Sequence, residues 1–522
     1  MTDQWQISRR SLLSASVFGI GGGRAVAFGA QAGRASELPF RHIHLDFHTS
    51  PEVPDVGADF NAEEFVRTLT DASVNSITIF AKCHHGMSYY PTQVGFRHPG
   101  LKADLVGEMI EACHRAGILV PVYLSTMYDH HAWRRHADWR ALDEEGRSQG
   151  HRGAAGPLAT NLGRVCVNTP YLDYLAAQAE EVVKTYQVDG IFYDNYGYGP
   201  DGCLCASCML EREKLGLDSA QREDRLRHGY TVLARAMERL AATARAHKPA
   251  GRIFFNGAIR LRQRPDYLRR AMAHHTHIEI ESLPGGSWGY QHFQLASRHL
   301  RNLGLDTMGM TGSFHRSWGD FGTVRNQAAL DYECFAMLAQ AAKCSIGDHL
   351  HPRGKLSPAV YERIGKTFRA VAAKEPWCAG ARAVTEIGSL LTYQGARANE
   401  SDVGVTTILS QLHQQFDLIE ADSDFRKYRV LVLPDSHRLD DRLREKLAAY
   451  LAGGGKLLLS HESGLDAAGE KFVIPDIGLE YEGPWKHEVQ YIEVLGEAGE
   501  GIPKMVHVAY EAGSAVKALL GT

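Results

Sequence analysis

Short apolar runs alternate with amphipathic stretches from His42 to about Asp348. Eight of the runs have the length and continuity of buried strands: His42–Phe47, Ser76–Ala81, Leu119–Ser125, Gly190–Asp194, Arg252–Asn256, Thr276–Glu281, Asp306–Gly312 and Ala342–Gly347. Between them apolar residues recur at helical spacing, as in Ala62–Ala72, Leu101–Ala116 (closed by Gly117), Tyr171–Tyr186 and Leu226–His247. Alternation of strand and helix predicts a parallel sheet. Eight repeats predict an α/β fold closed into a (β/α)8 TIM barrel, with a doubly wound open sheet as the alternative. Past about Glu375 the pattern changes. Val403–Gln415 and Arg442–Ala452 read as helices, and Val430–Pro434 and Lys456–Ser460 as strands, the last entered through Gly453-Gly454-Gly455. That is a smaller open α/β domain. From about Tyr481 the chain alternates in strand fashion (Val489–Val494, Met505–Tyr510). The expected division is a leader and linker over 1–36, a barrel over 37–380, a second domain over 381–480 and a β-rich tail over 481–522 that reads as part of a larger architecture.

Composition narrows the class. The 522 residues are 44% apolar and 23% charged, ordinary for a soluble globular protein. A net charge of −4 provides no basic excess for nucleic acid or an anionic membrane. At the N-terminus, Ser8-Arg9-Arg10-Ser11-Leu12-Leu13 precedes a mildly apolar, Gly-rich run with Ala25-Val26-Ala27 at cleavage spacing. This reads as a twin-arginine export signal, the alternative being a tail with a chance Arg pair. No later run reaches 18 unbroken apolar residues, so the mature protein is expected to lack a membrane span and to be periplasmic or extracellular.

Polar residues gather where the strand patterns end: His48, Lys82 to His85, Tyr128-Asp129, Asp194-Asn195, Asn256, Glu281 and Asp348-His349. Barrel active sites sit at that end of the strands. Asp194 closes the run Gly190-Ile191-Phe192-Tyr193 and suits a nucleophile. Glu279 and Glu281 share a strand face; Glu281 lies nearer the mouth and suits a proton donor, its pKa raised by Trp288 and Tyr290 nearby. Such a pair is what a glycosidase needs on either side of the scissile bond. The plainer alternatives are a helix N-cap or loop aspartate at Asp194 and structural salt-bridge carboxylates at Glu279 and Glu281. His84, His85 and the tyrosines beside them offer donors and aromatic faces for a sugar, with metal binding ranked lower because no third ligand is spaced for it. Cys203-x-Cys205-x-x-Cys208 has metal-site spacing, and Cys166 is the candidate fourth ligand of a structural zinc; disulfides or free thiols are the alternative. No cofactor is expected for catalysis.

At these residues the chain resembles known families. The segments FAKCHHGMSYYPT, HPGLKADLVGEMIEACHRAGI, CVNTPYLDY and VDGIFYDNYG, followed by CLCASC, resemble the hypothetical glycosyl hydrolase 6 family. More distantly the chain is similar to family-29 α-L-fucosidases. That resemblance implies Asp194 as nucleophile, Glu281 as acid/base and His48 as a sugar-binding histidine, with Lys82, His84, His85 and Trp288 in the matching motifs; these and Asp348 and His349, which stand at a strand end, are expected to bind the sugar. Cys83 and His85 depart from the family's Lys-His-His-Asp-Gly-Phe pattern, which alters the sugar contacts there. Cys166, Cys203, Cys205 and Cys208 are similar to the zinc cysteines of family-42 β-galactosidases, and Glu386 to Asp466 resembles that family's amidotransferase-like trimerisation domain, implying a homotrimer. Ser460-His461-Glu462 stands where an amidotransferase carries its cysteine nucleophile, so the second domain is expected to be non-catalytic. The expectation is a retaining α-L-fucosidase-like hydrolase of carbohydrate; a β-galactosidase-like or metal-dependent hydrolase and a non-catalytic glycan-binding barrel are the alternatives.

Overall fold

The computed structural model describes residues 37–151, 162–261, 263–392, 398–475, 477–494, 496–510 and 513–519. The expected export signal lies outside them. All eight expected strands form: β1 (Arg41–Asp46), β2 (Ser76–Lys82), β3 (Pro121–Ser125), β4 (Gly190–Asp194), β5 (Arg252–Phe255), β6 (Ile278–Glu281), β7 (Thr307–Gly312) and β8 (Lys343–His349). They run in the order β6-β7-β8-β1-β2-β3-β4-β5, every pair parallel. The remaining seam, β5 against β6, is stitched just before β6. Thr276 N donates to Ile253 O at 3.0 Å, and Ile253 N donates to the Thr276 hydroxyl at 2.9 Å. The sheet is thus a nearly closed (β/α)8 barrel.

One helix following each strand carries a label: α1 (Ala62–Asp71), α2 (Leu105–Arg115), α3 (Tyr171–Thr185), α4 (Arg222–His247), α5 (Pro265–Met272), α6 (Gln291–Leu300), α7 (Gln327–Ala339) and α8 (Pro358–Ala372). Asn61 and Asp104 start α1 and α2 by accepting from Glu64 N and Gly107 N, satisfying amides that have no partner inside the helix. The strands are near-continuous apolar runs because side chains leave both faces into protein: one set meets the helices, the other fills the barrel. On β1 that second set is His42, His44 and Asp46, two residues apart and all buried.

The second sheet is parallel, in the order β10-β9-β11-β12, with β9 (Ile387–Leu390), β10 (Phe416–Ile419), β11 (Val430–Leu433) and β12 (Lys456–Leu459). Helices α9 (Ala398–Gln411) and α10 (Asp441–Ala452) accompany it. Helix α6 of the barrel packs on α9 and β10, where Leu295 joins a cluster with Phe416 and Leu418. Beside it Arg301 donates to Asp417 Oδ1 at 2.7 Å and to Phe416 O at 2.8 Å. The turn after β12 places His461 at φ 49°, left-handed for a non-glycine, and Ser460 donates to Asp435 Oδ1 at 2.8 Å. In the tail, β13 (Leu479–Pro484) pairs antiparallel with β16 (Ser514–Ala518), and β14 (Gln490–Ile492) with β15 (His507–Ala509).

Candidate active site

The mouth of the barrel is built in layers. His44 forms its floor, ringed by Phe80, Tyr123, Phe192 and Trp318 at centroid distances of 5.7, 5.9, 4.8 and 5.3 Å. Burial holds His44 down to about 3, so it is a neutral ring. Above it a cavity of about 40 Å3 is lined by Asp46, His48, Asp194, Asn256, Glu281 and Trp318, among others. A groove of about 440 Å3 adjoins it: Asn195 and Gly257, chain neighbours of Asp194 and Asn256, line it with Tyr128, Arg164, Tyr230 and Arg260.

Asp194 and Glu281 face one another across a single amide. Asn256 Nδ2 donates to Asp194 Oδ1 at 2.9 Å and to Glu281 Oε2 at 3.1 Å. The two amide hydrogens point about 120° apart, so the bridged oxygens stand roughly 5 Å apart and no more than about 6 Å. Asp194 also accepts from the Tyr123 hydroxyl at 2.7 Å, and Glu281 Oε1 from the Trp318 indole at 2.7 Å. Burial raises both carboxyls. For Asp194 the hydrogen bonds from Tyr123, Asn195 and Asn256, and then the charge of Arg260, oppose the rise. For Glu281 the hydrogen bonds from the Trp318 indole and from Asn256, and the charge of Arg260, oppose the rise, while the charge of Asp194 adds to it. The charge of Asp194 thus favours the pair's proton on Glu281 over Asp194.

Of the expected sugar-binding residues, His48 lines this cavity. His84 stacks on it with centroids 3.5 Å apart, and His85 packs edge-on to His84. His349 sits one step out, accepting from Gly319 N at 2.8 Å, and Asp348 accepts from the Ser313 hydroxyl at 2.7 Å. Burial raises Asp348 to about 6 and lowers His349 to about 4. Lys82 is elsewhere. It is fully buried behind the strand, donating to Asp129 Oδ2 at 2.9 Å and to the Tyr171 hydroxyl at 3.2 Å. A bulge explains it: the β2–β3 register shifts between Phe80 and Lys82, and Lys82 pairs with the outward-facing Leu124. Trp288 and Tyr290, expected to desolvate Glu281, are 41% and 47% exposed, and Trp288 packs on His292. The tryptophan against Glu281 is Trp318, in a second Ser-Trp-Gly at Ser317-Trp318-Gly319. Its ring covers Gly347, where a Cβ would collide with it.

Sequence reasoning also passed over Asp46, although period-two alternation along His42-Ile43-His44-Leu45-Asp46 puts it on the inner face. Beside the mouth, the sulfurs of Cys166, Cys203, Cys205 and Cys208 all lie within 4.8 Å of one another, and Cys166 and Cys208 are 3.6 Å apart. Tetrahedral zinc with bonds of about 2.3 Å holds its sulfurs about 3.8 Å apart, whereas a disulfide needs about 2.05 Å. Asn168 N and Cys205 N point at sulfurs of the cluster, each at 3.4 Å, as thiolates require. The four residues fit a zinc ion. Among the described residues no histidine group has metal-holding geometry.

The family described as "Hypothetical glycosyl hydrolase 6" matches residues 61–195, and the "Beta-galactosidase trimerisation domain" matches 407–474. The barrel, its carboxyl-lined mouth and the first match define a glycoside hydrolase. Alpha-L-fucosidase isoenzyme 2 from Paenibacillus thiaminolyticus superposes with a TM-score of 0.86 at 36% identity, over 93% of this chain and 73% of that one. The chain belongs to the family of that enzyme. β-Galactosidases share the fold at far lower identity. That of Rahnella sp. R3 has a TM-score of 0.69 at 13% identity over 93% of this chain and 82% of its own. That of Bacillus circulans sp. alkalophilus has 0.65 at 12% over 88% and 78%. No curated protein sequence matches the chain.

Proposed function

We propose that the chain is an α-L-fucoside hydrolase acting with retention of anomeric configuration. The observation that carries this is the Asn256 amide, which sets the Asp194 and Glu281 carboxyls roughly 5 Å apart. That spacing suits direct attack by a nucleophile, whereas an inverting pair stands about 6.5–9.5 Å apart to admit water. Asp194, ionised and positioned by Tyr123, attacks the anomeric carbon while Glu281 gives its proton to the leaving oxygen. The departing group enters the Tyr- and Arg-lined groove. Glu281, now a carboxylate, takes a proton from water as the glycosyl–Asp194 ester is opened. The fucose assignment rests on the 36%-identical relative. Zinc held by Cys166, Cys203, Cys205 and Cys208 would pin the loop after β4 without touching the reaction. A homotrimer, assembled through the second domain, and twin-arginine export complete the reading. Among the described residues no helix is long and apolar enough to cross a membrane.

The test is a panel of aryl glycosides, including α-L-fucoside and β-D-galactoside, with wild type, Asp194→Ala and Glu281→Ala, the first-formed anomer being read by NMR. Turnover of the fucoside with retention, lost by roughly 10²-fold or more in both variants, is the expected result. An inverted product would rule out the nucleophile, and turnover of another glycoside alone would rule out fucose.

A further inference from the structure

Asp46 is the one carboxyl lining the small cavity that the two-carboxylate reaction leaves unused. It ends β1, and in the strand order β1 stands four places from β5, diametrically across the barrel from Asn256. β4 and β6, which carry Asp194 and Glu281, flank β5. A sugar whose anomeric carbon lies between Asp194 and Glu281 therefore turns its remote edge toward Asp46.

One Asp46 oxygen has an imidazole nitrogen close by and the other is available. His84 N–H donates to His48 Nδ1 at 3.3 Å, so the His48 proton sits on Nε2, and Nε2 lies 3.2 Å from Asp46 Oδ1. The imidazole nearest Oδ2 is His349, whose Nε2 is 4.0 Å away and already accepts from Gly319 N–H. Among the described residues no donor is recorded for Oδ2. A buried polar atom facing a cavity and left without a partner is a place for a ligand's hydroxyl.

We propose that Asp46, oriented by His48, hydrogen-bonds a hydroxyl on the edge of the sugar away from the anomeric carbon and so selects the sugar. Burial, followed by the charges of Asp194, Glu281 and Asp348, holds Asp46 up to about 8, so the carboxyl meets the sugar as a donor. His44, His48 and His349 also face this part of the mouth, and burial keeps all three imidazoles neutral. The acidic surroundings favour a neutral sugar over a uronate or sulfate ester at this edge. The proposal rests on the reading that the cavity holds a sugar.

The experiment is calorimetric binding of L-fucose and its 2-, 3- and 4-deoxy derivatives to wild type, Asp46→Asn and Asp46→Ala. Wild type is expected to lose about tenfold or more in affinity when the 3- or 4-hydroxyl is removed. Asp46→Ala is expected to bind fucose about tenfold more weakly and to show no further loss with that same deoxy sugar, while the 2-deoxy penalty stays as in wild type. Asp46→Asn, which keeps a donor and an acceptor, should stay within about fivefold of wild type. Asp46→Leu replaces the alanine variant if that one does not fold. Equal deoxy penalties with and without the carboxyl, or a wild type that binds none of these sugars, would overturn the proposal. Binding of fucose as expected without turnover of any glycoside would sink the hydrolytic reading while leaving Asp46 in place.

Discussion

Removing the amide that spans the two carboxyls tests the catalytic geometry most directly. In Asn256→Ala both Nδ2 bonds go, while the backbone bond from Asn256 N to Tyr193 O at 2.8 Å is untouched. With the pair's proton on Glu281, one lost bond is to a charged acceptor and one to a neutral group. Such bonds contribute about 1.5–3 and about 0.5–1.5 kcal/mol, so the loss is about 2–4.5 kcal/mol. Felt wholly in the transition state, it lowers kcat/KM by about 30- to 2,000-fold. The assay is kcat/KM on the aryl glycoside that wild type turns over, beside a thermal melt to establish that the variant is folded. Asn256→Asp should be worse still, because it sets a further carboxyl between two others. If folded Asn256→Ala stays within about fivefold of wild type, the amide does not hold the pair, and the argument from spacing to retention falls with it.

Four further outcomes are expected. The Trp318 indole N–H favours the ionised form of Glu281, so Trp318→Phe raises the pKa of that carboxyl; the alkaline limb of the kcat–pH profile then moves up, and a fixed or lowered limb would contradict this. Lys82→Met strands Asp129 in the interior and should cost about 3–5 kcal/mol, seen as a lower melting temperature; a kinetic defect with an unchanged melt would instead favour a sugar contact. Elemental analysis should find about one zinc per chain, and Cys205→Ser should lose it together with thermal stability; wild type purified with intact zinc-free thiols would refute the site. Burial keeps Asp46 protonated in the fold up to about 8, whereas the unfolded chain releases that proton in the ordinary carboxyl range. Native protein thus binds the extra proton between those limits, and stability falls as pH rises through them. The melting temperature of Asp46→Asn should exceed that of wild type by more at pH 8 than at pH 5, and a constant gap would count against it.

The barrel was legible because its strands are buried on both faces and most read as apolar runs closed by a polar residue. Asp194 and Glu281 could be named for the same reason: each is the last residue of such a run. Lys82 misleads because one extra residue in β2 reverses the alternation, and nothing local in Ile79-Phe80-Ala81-Lys82 announces a bulge. The choice between two Ser-Trp-Gly segments is likewise non-local. It depends on which loop crosses the mouth, and that is fixed by Gly319 against His349 and by the missing side chain at Gly347. In the second domain β9 and β10 escaped notice because Gly388 and Ser389 interrupt one apolar run and Asp417 the other, whereas the equally short β11 and β12 read Val-Leu-Val-Leu and Lys-Leu-Leu-Leu.

Helix α6 begins ten residues beyond Glu281 and lies against β10 of the second sheet, with Arg301 hooked to Asp417 at its end. The helix that follows the strand of the proposed proton donor is therefore a beam shared with the module proposed to join the subunits. Cutting the chain after the barrel would bare Leu295 and leave the Arg301 guanidinium without its carboxylate, so the smallest working unit extends through the second sheet. Subunit separation would loosen the same beam. Specific activity should then depend on enzyme concentration at dilutions where the assembly comes apart, which couples quaternary structure to turnover without any effector.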